Sequence, residues 1–167
     1  NNQGVLKDIL YWETIFRNGN NIKKDKLNVP VVVMAGGKGT RMEPFTKVLP
    51  KPLVPIHDKP IIEHIIERFV DVGISHFVIS LNYKSRIMKA YFEELNPTFK
   101  VEFLEEKKPL GTAGAIKLLD NKFDESFIVT NCDNIFKVDY YDLFQFHNNN
   151  GFDITLVASM KNYTIPY

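Results

Sequence analysis

The chain has 167 residues, 44% hydrophobic and 13% aromatic, which supplies a core for one domain or slightly more and excludes a disordered chain. Net charge is +1, so the overall balance points to no nucleic acid and no membrane as partner, and any cationic function has to come from local clustering. One cysteine, Cys132, rules out an internal disulfide framework and fits a reducing cytoplasm, while no apolar run approaches the ~20 residues of a membrane span and NNQGVLKDIL lacks the order of a signal peptide.

In chain order, VLKDILYW (5–12) alternates as a strand would, and ETIFRN begins a short helix. NGNNIKKDKLN (18–28) is polar and asparagine-rich and reads as a linker. The expected organisation is a remnant of an upstream module over 1–17, a linker over 18–28 and the main domain over 29–167, with both ends looking cut from a longer protein. Within the main domain, VVVMA (31–35) is a wholly apolar, β-branched strand of the kind covered on both faces. KPIIEHIIERFVDVG (59–73) carries a helical stripe at 61, 62, 65, 66, 69 and 70, with Pro60 near its first turn and Gly73 at its stop. FVISL (77–81) is a second buried strand, SRIMKAYFEEL (85–95) an amphipathic helix, VEFLEE (101–106) a strand and GTAGAIKLLD (111–120) a helix. SFIVTN (126–131), YYDLFQFHNNN (140–150) and DITLVASM (153–160) complete the series as strand, helix and strand. Five such alternations predict an α/β fold: a doubly wound, mostly parallel, Rossmann-like sheet with helices on both faces.

Ligands of such sheets bind beyond the carboxyl ends of the strands, where the strand order switches. Three of those ends carry unusual residues. After the first strand, glycines 36, 37 and 39 let backbone N–H groups approach an anion, and Arg41 adds a charged fork that fits phosphate oxygens. Neither a Walker loop nor a dinucleotide fingerprint matches, because no GK[ST] occurs and Met42 stands where a third glycine is required. In LPKPLVP (49–55), Lys51 is held between two prolines and so presented from a stiff loop, whereas Lys38 and Lys47 read as surface lysines. After SFIVTN comes Asp133, a carboxylate suited to Mg²⁺ or, in the competing structural role, to capping a helix. Cys132 reads as a packed side chain rather than a nucleophile, and the four histidines show no metal-ligand spacing. Asn82 either lines the pocket or caps the following helix. The third end, EEKKPLGTAGAI (105–116), places Glu106 before Gly111 and Thr112.

AGGKGTRMEPFTKVLPKPLVP (35–55) resembles the signature of the sugar nucleotidyltransferases, or NDP-sugar pyrophosphorylases, roughly G-G-x-G-T-R-L-x-P-L-T and then P-K-P; Met42 and Phe45 are departures. PLGTAG (109–114) and Asp133 resemble two further segments of that family. The resemblance covers residues 29–167 and implies the N-terminal part of a catalytic domain of the nucleotide-diphospho-sugar transferase type, truncated at its C-terminus. It implies the reaction of an NTP with a sugar 1-phosphate to give an NDP-sugar and pyrophosphate. Carried over, the catalytic set is Arg41, Lys51 and Asp133, with Asp133 binding Mg²⁺. The nucleotide-binding set is Ala35, Gly36, Gly37, Gly39, Thr40, Arg41, Glu106, Gly111 and Thr112. Glu106 stands where thymidylyl- and uridylyl-transferring relatives often have a base-reading glutamine. An ionised carboxylate only accepts hydrogen bonds, and guanine offers adjacent N1–H and N2–H donors, so GTP is favoured, with CTP next. A solvated charged turn over Glu105–Lys108 stands beside that reading. VLKDILYWETIF resembles the end of a CBS-type module, which precedes this domain in some relatives. Residues 1–167 are expected to bind nucleotide but to turn over poorly alone, and a homo-oligomer is left open. The rivals are a transferase for a non-sugar phosphate such as phosphocholine and a non-catalytic NTP-binding module.

Overall fold

The computed structural model describes residues 26–111, 113–119 and 122–158. The expected upstream remnant over 1–17, the linker as far as residue 25, Thr112 and the end of the expected fifth strand lie outside them. In chain order the elements are β1 (Val31–Met34), a 3-10 turn (Thr40–Met42), the short α1 (Phe45–Val48), a second 3-10 turn (Lys51–Leu53), β2 (Pro55–Ile56), β3 (Lys59–Pro60) and α2 (Ile61–Val70). They continue with β4 (His76–Leu81), α3 (Ser85–Leu95), β5 (Lys100–Glu105), a third 3-10 turn (Gly114–Leu119), β6 (Ile128–Asn131) and α4 (Tyr140–Asn150).

The four main strands run in the order β5-β4-β1-β6, and every neighbouring pair is parallel. The chain first moves outward from β1 through β4 to β5, then returns to the other side of β1 to lay down β6. The strand order therefore reverses at β1/β6, which opens a crevice past the ends of those two strands.

Side-chain alternation divides the core into two layers. Val31, Val33, Phe77, Ile79 and Leu81 face one side, where they meet Ile62, Ile65, Ile66 and Phe69 of α2, Met88 and Phe92 of α3 and Tyr140 at the start of α4. Each of the fully buried Ile and Phe side chains on α2 contributes about 2 kcal/mol through the water it no longer contacts. Val32 and Val78 face the other side and pack against Leu119 of the third 3-10 turn. Covering on both faces is why VVV carries no polar residue: all three valines are at 0% exposure. The packed body includes Leu27, at 3% exposure with its N–H donating to the Val72 carbonyl, and so begins upstream of the expected start at Val29.

α3 and α4 coincide with the expected helices, and α4 is capped by Asp139, whose side chain accepts from the N–H groups of Tyr141 and Asp142. α2 begins after Pro60, which belongs to a small antiparallel ribbon, β2–β3, that the sequence reading did not anticipate. Two other expectations need correction. The helix expected over 111–120 is a 3-10 segment over Gly114–Leu119; two glycines at 111 and 114 and a short length disfavour α-helix nucleation. The strand expected over 153–160 is absent from its described part, 153–158, where Ile154 and Leu156 are 77% and 84% exposed. Its alternation is strand-like, but a strand is stabilised by a ladder partner, and none of the described strands lies beside it.

Candidate active site

The β1/β6 crevice is a cleft of about 510 Å³ whose walls come from all three strand ends singled out in the sequence. The β1 end provides Gly36, Gly37, Gly39, Thr40 and Arg41, and the proline-held turn provides Lys51. Beyond β5 stand Glu106, Leu110 and Gly111, and beyond β6 stand Asn131, Cys132 and Asp133. A second cavity, about 640 Å³, lies at the opposite ends of the strands against Leu27, Val29, Tyr141 and Phe144; none of the described site residues expected from the sequence lines it.

The three glycines do different jobs. At Gly37 an added Cβ would meet nothing within 4 Å, so its backbone borders open space in the cleft. Gly36 makes room for a side chain rather than only for a ligand: a Cβ there would sit 2.5 Å from Oε1 of Glu106. Gly39 has φ +68°, a left-handed conformation that glycine adopts without penalty. A Cβ on it would lie 2.9 Å from Cβ of Lys51 and 3.0 Å from Cγ2 of Thr46. Gly39 is also the hinge pin of the loop, because its carbonyl accepts from the Met42 N–H at 2.9 Å and from the buried Thr46 hydroxyl at 3.0 Å.

Lys51 leaves a 3-10 turn that follows Pro50 and contains Pro52, with Pro52 and Leu53 buried beneath it. Its ammonium donates to Oδ2 of Asp133, a bond across 82 residues that joins the cation of the β1 side to the carboxylate of β6. Asp133 is therefore an ion-pair partner on the cleft wall and not a helix cap. Its neighbour Cys132 is buried, and desolvation, followed by the Asp133 charge, pushes its thiol up to about 11. A thiol held protonated at neutral pH is a poor nucleophile. Arg41 lies exposed at the rim.

Glu106 is 7% exposed, while Glu105, Lys107 and Lys108 are exposed. The solvated-turn reading thus holds for three residues of that stretch and fails for Glu106. Oε1 accepts from the Ser80 hydroxyl and Oε2 from the Leu110 N–H at 3.0 Å. Asn82, which could have capped α3, instead donates Nδ2–H to the Glu106 carbonyl at 2.7 Å; the α3 cap position is Lys84, with no side-chain cap bond. Among the described residues no cation pairs with Glu106, so a nearly dry carboxylate faces the cleft with only neutral donors.

Among the described members of the expected nucleotide set, Ala35 does not line the cleft. Ala35 is 2% exposed, and its N–H donates to the Ser80 carbonyl at 3.0 Å, so it offers neither side chain nor N–H to a ligand. Lys38 and Lys47 lie on the surface, Lys47 pairing with Glu43 at 3.5 Å. Ser80 was the residue that sequence reasoning missed. Its signal was a lone hydroxyl inside the apolar strand FVISL, which buries at 0% exposure only with a partner.

The family model described as "Nucleotidyl transferase" matches residues 30–165. A mannose-1-phosphate guanyltransferase of Gibberella zeae is 38% identical over 133 residues, covering 77% of this chain and 36% of the relative. One of Yarrowia lipolytica is 39% identical over 137 residues, with 77% and 37% covered. The crystal structure of HddC from Yersinia pseudotuberculosis complexed with GMP-PN superposes with a TM-score of 0.64 at 36% identity, covering 71% of this chain and 54% of that one. The chain thus spans about a third of the length of the curated relatives it matches.

Proposed function

The chain belongs to the nucleotidyl transferase family, and from that premise we propose that the protein transfers a nucleotidyl group from an NTP, GTP before CTP, to a sugar 1-phosphate. The names of the relatives favour mannose 1-phosphate as the acceptor. The observation that carries the reading is the buried carboxylate of Glu106, paired with no cation among the described residues, in the same cleft as Arg41, Lys51 and Asp133.

An oxygen of the sugar phosphate attacks the α-phosphorus, a new P–O bond forms, and the bond to the β-phosphate oxygen breaks to release pyrophosphate. The nucleophile is already anionic at neutral pH, so no general base is required. The obstacle is repulsion between two anions, and fixed positive charge lowers it. Arg41 at the rim grips the outer phosphates with a planar fork and stabilises the leaving pyrophosphate. Lys51 sits on a stiff turn and contributes charge near the attacked phosphorus. Gly37, Gly39 and Thr40 bring backbone close to the triphosphate, and Gly111 lets the base lie against the wall beside Glu106.

Asp133 fits Mg²⁺ by its chemistry: one hard carboxylate on an open wall, with phosphate oxygens to complete the shell, is a common donor set for that ion. When bound, the ion supplies charge neutralisation at the phosphate oxygens. A cytoplasmic location is part of the same reading, supported by the free Cys132.

Pyrophosphate release by the intact protein across four NTPs, with a panel of sugar 1-phosphates and phosphocholine, tests the proposal. The expected outcome is a best rate with GTP and a sugar 1-phosphate. Release that needs no sugar phosphate, or a preference for UTP, would refute it.

A further inference from the structure

We infer that Ser80 and Asn82 are positioning residues that aim the Glu106 carboxylate and thereby set the selectivity of the cleft for a base with two adjacent N–H donors. The inference rests on the reading of Glu106 given above and adds the residues that make it selective.

Ser80 and Asn82 stand two apart at the carboxyl end of β4, so both project to the same side. The neighbouring strand keeps its register past its own end: Leu81 pairs with Glu105, and the Glu106 N–H then donates to the Leu81 carbonyl at 2.8 Å. This places Glu106 beside both residues. Asn82 holds its backbone through the carbonyl, and Ser80 holds its side chain through Oε1. Leu110 N–H holds Oε2. Gly36 leaves the space that the carboxylate occupies, since a Cβ there would sit 2.5 Å from Oε1.

The hydrogen-bond count then points to a ligand. A carboxylate has about four acceptor sites, and two are taken here, one on each oxygen. That leaves about one acceptor site on each of two adjacent oxygens, a number and spacing that match a pair of parallel N–H donors such as N1–H and N2–H of guanine. Uracil and thymine present one N–H between two carbonyls, and their carbonyls would face the carboxylate lone pairs. A site built to pair with donors rejects a ligand that lacks them more strongly than an apolar pocket does. Selectivity of this kind needs the carboxylate plane to be fixed, which a glutamate with three rotatable bonds does not achieve alone. The Ser80 hydroxyl, itself without access to water, supplies that constraint.

The test is equilibrium binding of GTP and UTP, by isothermal titration calorimetry with Mg²⁺, to the intact protein and to Ser80→Ala, Asn82→Ala and Glu106→Gln variants. Wild type is expected to prefer GTP, and Ser80→Ala to lower the GTP-to-UTP affinity ratio by about 10-fold while changing UTP affinity by less than about 2-fold. A purely structural role for Ser80 would weaken both nucleotides alike and leave the ratio intact. An unchanged ratio in Ser80→Ala alongside a lost preference in Glu106→Gln overturns the positioning role and leaves the base-reading carboxylate standing. No GTP preference in wild type, or none lost in Glu106→Gln, overturns both. Should Ser80→Ala not fold, Ser80→Cys keeps the size with a weaker donor, and its ratio is read by the same criteria.

Discussion

Replacing Gly39 with alanine tests whether the glycine loop is built around Lys51. The residue is left-handed at φ +68°, and that conformation costs an alanine about 1–2 kcal/mol. The new methyl would lie 2.9 Å from Lys51 Cβ and 3.0 Å from Thr46 Cγ2, closer than side chains tolerate. Thr46 is 2% exposed and bonded to the Gly39 carbonyl, and Lys51 is met at the base of its stem, where rotamer changes give no relief. Overpacking of this kind adds about 1–3 kcal/mol, and the stiffer unfolded chain returns about 0.5 kcal/mol, for a net loss of about 1.5–4.5 kcal/mol. In a domain of this size that lowers Tm by roughly 3–18 °C, which differential scanning calorimetry resolves. GTP-dependent pyrophosphate release should fall as well, because Lys51 has to move. A Gly39→Ala protein with unchanged Tm and undiminished release would show that neither the left-handed backbone nor the contact with Lys51 matters.

Further outcomes follow from other contacts. Asp133→Asn should lower Mg²⁺-dependent pyrophosphate release by at least about 100-fold; near-normal turnover would remove Asp133 from the metal site. Gly36→Ala should drive the carboxylate of Glu106 out of place and reduce GTP affinity by about 10-fold or more, with UTP less affected, and equal weakening of both would contradict the contact. Away from the cleft, hydrogen bonds from Lys100 first, then Lys122 and His76, hold the Glu102 carboxyl at about 2 against an ordinary 4.5. A depressed folded value means that this stabilisation is complete above pH 4.5 and disappears as pH falls toward 2. Its full value would be about 3 kcal/mol, and screening at a side chain 28% exposed reduces it to about 1 kcal/mol. Glu102→Gln should therefore lose about 1 kcal/mol at pH 7, with the deficit closing between pH 4.5 and 2 in urea unfolding; a deficit independent of pH would sink the assignment.

The elements that could be read from the chain are those whose signals are local. α3 declares itself through its amphipathic pattern, β1 through an unbroken apolar run and β4 through an apolar run interrupted only by Ser80. The three strand-end motifs meet in one cleft because parallel strands place all their carboxyl ends on one side. What escaped the reading is set by distant partners. Ser80 and Glu106 are 26 residues apart, and only the β4–β5 register brings them together. Ala35 reads as part of the loop but lies behind its wall, since the ladder to β4 claims its N–H. The 3-10 turn at Gly114–Leu119 and the unpaired stretch 153–158 fail for the same reason: pattern signals which face is apolar, whereas conformation depends on what that face meets.

The bond between Lys51 and Asp133 means that an arriving polyanion finds a cleft whose opposite poles already satisfy each other. Entry is then an exchange of partners, and the observed affinity reports a difference between two pairings rather than the strength of one. Charge-driven association should consequently respond only weakly to added salt until the aspartate is neutralised. An Asp133→Asn protein titrated with inorganic pyrophosphate in EDTA should bind it more tightly than the parent, with a steeper ionic-strength slope.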